Sequence, residues 1–125
     1  MRLMRKTILF LTGGCGYVGV EYLWRGWSHG SMFLAGGSCF LLLGAASKRL
    51  RHRSPVVRAI AGSTIITAVE LAAGLIANRH YTVWDYRTMP GNFMGQICIP
   101  YSLLWMPLSL GGMYLHGKLD RLLAK

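Results

Sequence analysis

The sequence predicts an all-α integral membrane protein, with four transmembrane helices in a single domain that takes up residues 1–125. Three observations lead to this prediction. The chain is 53% hydrophobic and only 14% charged. Four apolar stretches come close to the roughly 20 residues with which a helix crosses the hydrocarbon core. The basic residues fall in short clusters between these stretches, which indicates membrane flanks and argues against a nucleic-acid partner.

The four predicted spans follow the apolar stretches in chain order. We expect them at residues 7–23, 31–47, 59–77 and 96–115. The first two are short, at about 17 residues, so they need local thinning of the bilayer or snorkelling side chains at their ends. Arg2, Arg5 and Lys6 precede the first stretch, as in a secretory signal. No small-residue cleavage site is clear, however, and further spans follow, so we expect a retained helix.

Lysine and arginine predict the orientation of the chain. Eleven of the 14 lie on one side of the spans, in the N-terminal segment, the loop at 48–58 and the C-terminal tail. The other side has only Arg25, Arg79 and Arg87, together with aromatic residues typical of an interfacial belt. By the positive-inside rule, we expect both termini to be cytoplasmic and the protein to be a multi-pass protein of the cell membrane, with the lipid bilayer as its surroundings.

Two of the four acidic residues lie inside predicted spans, where an ionised group is costly. Glu21 is fifteen residues past Lys6, and Glu70 is twelve past Arg58. At 1.5 Å per residue, both carboxyl groups lie about 18 to 22 Å from the cytoplasmic flank, so they can share one site in the outer leaflet. The alternative for Glu21 is a structural ion pair with Arg25, one helical turn later.

Helical periodicity collects polar and small residues on single faces of three spans. Because such faces must contact protein or water, we expect them to meet in a common interior. The face of the first span has Gly13, Tyr17 and Glu21, that of the third has Ser63, Thr67, Glu70, Gly74 and Asn78, and that of the fourth has Cys98, Ser102, Trp105, Ser109, Gly112 and His116.

The cysteines and short motifs indicate no cofactor. Cys15, Cys39 and Cys98 are too far apart in sequence for a CxxC pair, so we expect neither a metal site nor a disulfide framework, and we expect all three to be buried. The chain has no GxxxxGK[ST] phosphate loop. Any ATPase that acts with it would therefore be a separate protein, which could dock on the basic loop at 48–58.

Residues 81–95 form an outer loop rich in aromatic, charged and turn residues, a composition that indicates function more often than packing. We expect this loop to form a re-entrant lid over the carboxylate site. Asp85 and Arg87 can pair with each other or with Arg25 and Glu21 across the outer mouth, and Gln96 can form hydrogen bonds there. The candidate binding residues are Glu21, Glu70, Asp85, Trp84, Tyr86, Asn92, Gln96, Arg25 and Arg87.

These segments resemble the signature of a family described as putative ABC-transporter type IV, whose members are small bacterial membrane proteins. The resemblance covers most of residues 16–110 and implies a permease role. Gly16 to Glu21 and Gly36 to Cys39 resemble the family's glutamate-ended first helix and its glycine-cysteine second helix. The most specific matches are Trp84-Asp85-Tyr86, Pro90, Asn92, Gly95-Gln96-Ile97-Cys98 and Ser102-Leu103-Leu104-Trp105.

The order of features along the chain also suggests an internal duplication. A helix with Glu21 and an outer loop precede Gly37 and Cys39, and a helix with Glu70 and an outer loop precede Gly95 and Cys98. Two such helical hairpins would run parallel, related by an axis along the membrane normal.

The leading functional hypothesis is a small permease-like transporter with an outer-leaflet carboxylate site for a cation, a proton or a cationic solute. A second hypothesis is an accessory subunit of a larger membrane complex, or a homo-oligomer, that packs through its glycine rows. A third is a membrane enzyme that acts on a lipid head group. Paired acids suit acid and base catalysis, but no nucleophile with a base at fixed spacing is evident, which favours a protein that is not an enzyme.

Overall fold

The computed structural model describes residues 2–26 and 29–124, without the side chains of Trp24 and Arg25. This part of the chain forms four α-helices and no strands, which confirms the predicted all-α fold. Two of the helices, α2 and α3, are long and apolar enough to cross a membrane. The helices are α1 (Arg2–Arg25), α2 (Gly30–Arg49), α3 (Pro55–Ala77) and α4 (Ile99–Leu123).

The helix ends differ from the predicted spans because helices continue into their polar flanks. The 24 residues of α1 rise about 36 Å, so this helix is not short for a bilayer. The start of α3 is set by Ser54, whose hydroxyl accepts a bond from the Val57 amide, and by Pro55 in the first turn. Cys98 is the N-cap of α4, so this helix begins three residues after Gln96, the first residue of the predicted last span.

The central helix of the bundle is α2, which packs against the other three. The first helix, α1, packs mainly on α2, and it does not pack against α3. Close packing between α1 and α2 depends on Gly13 and Gly36, since a Cβ atom on either would run into Phe40 or Tyr17 of the other helix. Separation of α1 from α3 leaves room for a cavity in the bundle.

The predicted polar faces of α3 and α4 contact each other. The Ser63 hydroxyl donates to the Ser102 carbonyl, at 2.5 Å, and Thr67 Oγ1 lies 2.9 Å from Ser102 Oγ. Further along the same interface, Gly62 lies against the side chain of Ser109. These contacts confirm that the polar stripe of α3 faces protein.

An ionic cluster joins three helices at one end of the bundle. Asp120 of α4 accepts hydrogen bonds from Arg5 of α1, at 2.9 Å, and lies 3.0 Å from the Lys48 amine of α2. Burial alone would raise the pKa of Asp120, but the bonds from Lys48 and Arg5 outweigh burial and lower this pKa. The start of α1 and the end of α4 therefore lie at the same end of the bundle.

The prediction that all three cysteines are buried is only partly correct. Cys98 is buried and Cys39 is half-buried, but Cys15 is exposed on α1. Cys15 lies on the surface of α1 that faces away from its neighbours. A small apolar residue can lie on either face of a membrane helix, because lipid is as apolar as the interior.

Candidate functional site

A cavity of about 460 Å³ lies inside the bundle, between the separated helices α1 and α3. All four helices line it, together with Trp84 and Tyr86 from the loop that joins α3 to α4. Its walls are mostly apolar, and Glu21 and Glu70 are both among its lining residues. The structure therefore brings to one cavity the two glutamates that the sequence places at equal depth.

The Glu70 carboxyl group lies at the cavity wall and accepts hydrogen bonds from two aromatic side chains. Tyr86 donates its hydroxyl to Glu70 Oε2 at 3.1 Å, and Trp105 donates its indole N–H to Glu70 Oε1 at 3.3 Å. Both donors are neutral, and within the described part of the chain Glu70 forms no ion pair. The carboxyl group is thus oriented by hydrogen bonds while its charge is left without a cationic partner among those residues.

Aromatic rings surround this carboxyl group. The Tyr86 and Tyr101 rings stack with their centroids 4.9 Å apart, and the Trp105 ring lies 5.9 Å from that of Tyr101. Tyr17 and Trp84 also line the cavity. Aromatic rings can attract a cation through the quadrupole of their faces.

Glu21 lies on α1, on the other side of the cavity. It interacts electrostatically with Glu70, and Tyr17, one turn earlier in α1, forms a hydrogen bond with it. The side chain of Arg25, the alternative partner of Glu21, lies outside the described residues. Glu21 is therefore assigned to the cavity by position, whereas Glu70 is assigned by position and by its hydrogen bonds.

Asn78 anchors the loop that covers the cavity. Its side chain is fully buried. Asn78 Oδ1 accepts hydrogen bonds from the backbone N–H groups of Val83 and Trp84, at 2.8 and 3.1 Å. The same side chain donates to the Trp84 carbonyl and to Gln96 Oε1, at 2.6 and 2.9 Å. Gln96 in turn donates to the Asn78 carbonyl, and the Trp84 indole donates to the Gln96 carbonyl. Gln96 is a predicted binding residue, but its side-chain amide group is hydrogen-bonded to Asn78.

Asp85, Arg87 and Asn92 lie on the exposed surface of the loop and do not line the cavity. Arg87 donates two hydrogen bonds to Asp85, at 2.9 and 2.8 Å, and its guanidinium lies 4.2 Å from the centre of the Tyr81 ring. The bonds from Arg87 lower the pKa of Asp85 to about 2. Asn92 braces the turn by donating to the carbonyls of Arg87 and Met89. Asp85 and Arg87 therefore pair with each other, which is the first of the two predicted alternatives.

The comparison with known families gives one match. The model of the family described as "Putative ABC-transporter type IV" matches residues 8–124, which include α2, α3 and α4 and all of α1 except its first six residues. The chain belongs to this family. No curated protein matches the chain, and no solved structure matches it. Membership of the ABC-transporter type IV family links the protein to transport.

Three aromatic residues of this family member form the cavity wall but are absent from the predicted set. Trp105 lies on the same predicted face of α4 as Ser102, which contacts α3, and this shared face is the signal that could have paired it with Glu70. Tyr101 precedes Trp105 by one helical turn, and Tyr17 precedes Glu21 by one turn. Within residues 2–26 and 29–124, no three His, Cys, Asp or Glu side chains are grouped in a way that could hold a metal ion.

Proposed function

We propose that this protein is a small permease-like transporter of the bacterial cell membrane that binds a positively charged solute, or a proton, at Glu70. The supporting observation is the position of the Glu70 carboxyl group on the wall of an apolar cavity, between two neutral donors. An ionised carboxylate in apolar surroundings is costly unless a positive charge accompanies it. A site of this kind therefore gains most from a cation or a proton.

In this proposal all four helices span the bilayer, and both termini are cytoplasmic. The Arg5, Lys48 and Asp120 cluster lies at the cytoplasmic surface, together with most of the basic residues. The loop between α3 and α4 then lies on the outer side, above the two glutamates. The cavity extends from Tyr86 near this loop to Leu115 in the last third of α4, a path across much of the hydrocarbon region.

The proposal is tested with purified protein in liposomes adsorbed to a solid-supported membrane, which records charge movement when a cation is added. A panel of inorganic and organic cations is applied at constant pH, and proton movement is tested with a pH step. We expect the wild-type protein to give a current with at least one of them. Glu70→Gln keeps the size of the side chain but removes its charge, and we expect it to abolish that current.

Asp85→Asn is the matched control, because it removes an equally negative carboxylate that lies outside the cavity. Its currents should equal those of the wild type. Currents that persist in Glu70→Gln at the wild-type size would overturn the assignment of the site. Equal loss in both variants would also overturn it, since the effect would then come from overall charge.

A second candidate function is that of the membrane subunit of an ABC-type complex. The family description supports it, and the chain has no phosphate loop of its own. The loop at 48–58 offers exposed basic side chains to an acidic surface of a separate ATPase. Copurification of an ATPase in a fixed ratio would favour this function, and full transport by the isolated protein in liposomes would exclude it.

A further inference from the structure

The cavity is closed toward the loop and open at its side. At the loop end, Met32, Val83 and Trp84 form a buried cluster, against which Tyr17 and Tyr86 pack. No comparable cover lies along the side between α1 and α4 among the described residues, and several lining residues there are exposed to the surroundings of the bundle. They are Gly16 and Val20 of α1, and Pro107, Leu108, Gly111 and Leu115 of α4.

The two edges of this side opening lie at the same height. Arg5 and Asp120 are joined at the base of the bundle, and they provide a common reference level for α1 and α4. Gly16 lies eleven residues beyond Arg5, and Gly111 lies nine residues before Asp120. At 1.5 Å per residue, both glycines lie about 14 to 16 Å above this level. Both line the cavity, and neither has an atom within 4 Å of the position that a Cβ would take.

The carboxyl groups lie at the outer end of this opening, at the level of Val20. Glu21 is sixteen residues beyond Arg5, and Trp105, which binds Glu70, is fifteen before Asp120. Both therefore lie about 22 to 24 Å above the ionic cluster. In a hydrocarbon core of about 30 Å, the opening lies near the bilayer centre, and the glutamates lie in the outer third.

The side chains at the opening and inside the cavity indicate which class of ligand can bind. The opening is rimmed by apolar side chains at a depth where only apolar molecules are abundant, and Val20 and Leu108 are about half exposed there, at 51% and 45%. Inside, apolar walls, aromatic rings and a carboxyl group complement a ligand that is apolar in bulk and positive in charge. A volume of about 460 Å³ falls within the range of about 300 to 1,000 Å³ that is typical of small-molecule sites.

We infer that the solute is a bulky apolar organic cation that reaches Glu70 sideways from the bilayer, through the opening between α1 and α4. This inference rests on the proposed function and adds the class of solute and its route. Inorganic cations and strongly hydrated organic cations do not use this route, because they do not partition into the hydrocarbon core.

The class of solute is tested with two probes of nearly the same size and shape and of opposite charge, tetraphenylphosphonium and tetraphenylborate. We expect the purified protein to bind the cation, and Glu70→Gln to bind it at least about tenfold more weakly. The anion should bind no better to the wild type than to Glu70→Gln. Equal binding of the cation by wild type and Glu70→Gln, or tighter binding of the anion by the wild type, would overturn the inference.

The route is tested with leucine at the two edges of the opening. Gly16→Leu and Gly111→Leu place a side chain into the gap without a clash at Cβ, and we expect each to slow tetraphenylphosphonium uptake into liposomes at least about tenfold, as a barrier increase of about 1.4 kcal/mol would. Gly19→Leu is the matched control, because Gly19 is exposed on the same helix, has equally free space and does not line the cavity. Equal uptake by all three variants would overturn the sideways route.

The outcomes separate this inference from the proposed function. If inorganic cations alone give currents that depend on Glu70, while tetraphenylphosphonium does not bind, the inference is wrong and the proposed function stands. If tetraphenylphosphonium binds through Glu70 but no cation or proton produces a current, the protein binds such cations without transporting them, and the proposed transport is wrong.

Discussion

At the scale of single residues, the site depends on which polar groups are already satisfied by the fold. The side-chain amide groups of Asn78 and Gln96 form hydrogen bonds with each other and with the loop backbone. Among the described residues, Glu70 accepts hydrogen bonds from two neutral donors and forms no ion pair. The difference explains why Glu70 is assigned a binding role, while Asn78 and Gln96 hold the cover of the cavity in place.

The anchoring role of Asn78 predicts a large loss of order in the loop when its side chain is removed. Asn78→Ala leaves the amides of Val83 and Trp84 and the carbonyl of Trp84 without partners in a buried place. Each such group costs about 1 to 3 kcal/mol. We expect hydrogen exchange in residues 79–97 to accelerate strongly, as measured by mass spectrometry.

The control for this prediction is Asn92→Ala. Asn92 is exposed and bonds the carbonyls of Arg87 and Met89 and the amide of Gly95 within one turn. Because water can reach this side chain, exchange should rise at Gly95 and change little in the rest of the loop. Similar acceleration in both variants would show that Asn78 has no special role.

Single residues were also the hardest features to predict from the sequence. The periodicity of α3 correctly placed Glu70 and Asn78 on a face that contacts protein. Periodicity could not distinguish Asn78, whose side-chain hydrogen bonds are all made within the loop anchor, from Glu70, which faces a cavity. The difference depends on partners as many as 35 residues away. The ionic partners of Asp120 lie still further away, with Arg5 at a separation of 115 residues.

At the scale of helices, glycine decides where the bundle is tight and where it is open. The His116 ring occupies the space beside Gly44, where α2 meets α4, and packs edge-on against Phe40 with 5.2 Å between ring centroids. Around Gly111 of the same helix α4, the space is empty. One helix thus closes the bundle near its end and borders the opening near its middle.

This contrast predicts opposite effects of alanine at two glycines. Gly44→Ala drives a methyl group into the buried His116 ring, and overpacking of this kind costs about 1 to 3 kcal/mol. Gly111→Ala meets no atom and removes a helix glycine, which favours the folded helix by about 0.5 to 1 kcal/mol. Thermal unfolding of the purified protein in detergent should show a lower midpoint for the first variant and an equal or higher midpoint for the second. The reverse order would contradict the packing described here.

The sequence predicted the number of helices and the interface between α3 and α4, since both depend on local apolar and polar periodicity. It did not predict the packing of α1. Gly16 and Gly19 of α1 are small enough for close packing, but in the structure both have open space beside them. A row of small residues permits close packing, but only the position of the neighbouring helix decides whether packing occurs.

At the scale of the whole molecule, charge is divided between the two ends of the bundle. The end with Asp120 holds both described ends of the chain and most of the basic residues, while the loop end has the exposed pair of Asp85 and Arg87. Under the positive-inside rule, this distribution favours the proposed orientation, in which the basic end is cytoplasmic.

This orientation is checked with reporter fusions. Green fluorescent protein after Lys125 should fluoresce, because it folds in the cytoplasm, and alkaline phosphatase inserted after His80 should be active, because it needs the outer side. Removing the charges of the loop at 48–58 should reduce both signals. Phosphatase activity at the C-terminus, with none after His80, would contradict the proposed topology.

The central claim is that Glu70 makes the cavity selective for positive charge, and the native cysteines test it without knowledge of the solute. Cys39 lines the cavity, whereas Cys15 is exposed on the outside of α1 and serves as an internal reference. The purified protein is treated with two bulky apolar methanethiosulfonates, one cationic and one anionic, and modification at each cysteine is followed by peptide mass spectrometry. The ratio of the rate with the cationic reagent to the rate with the anionic reagent should be higher at Cys39 than at Cys15, and Glu70→Gln should remove this preference. A preference that is absent, or that persists unchanged in Glu70→Gln, would contradict the account.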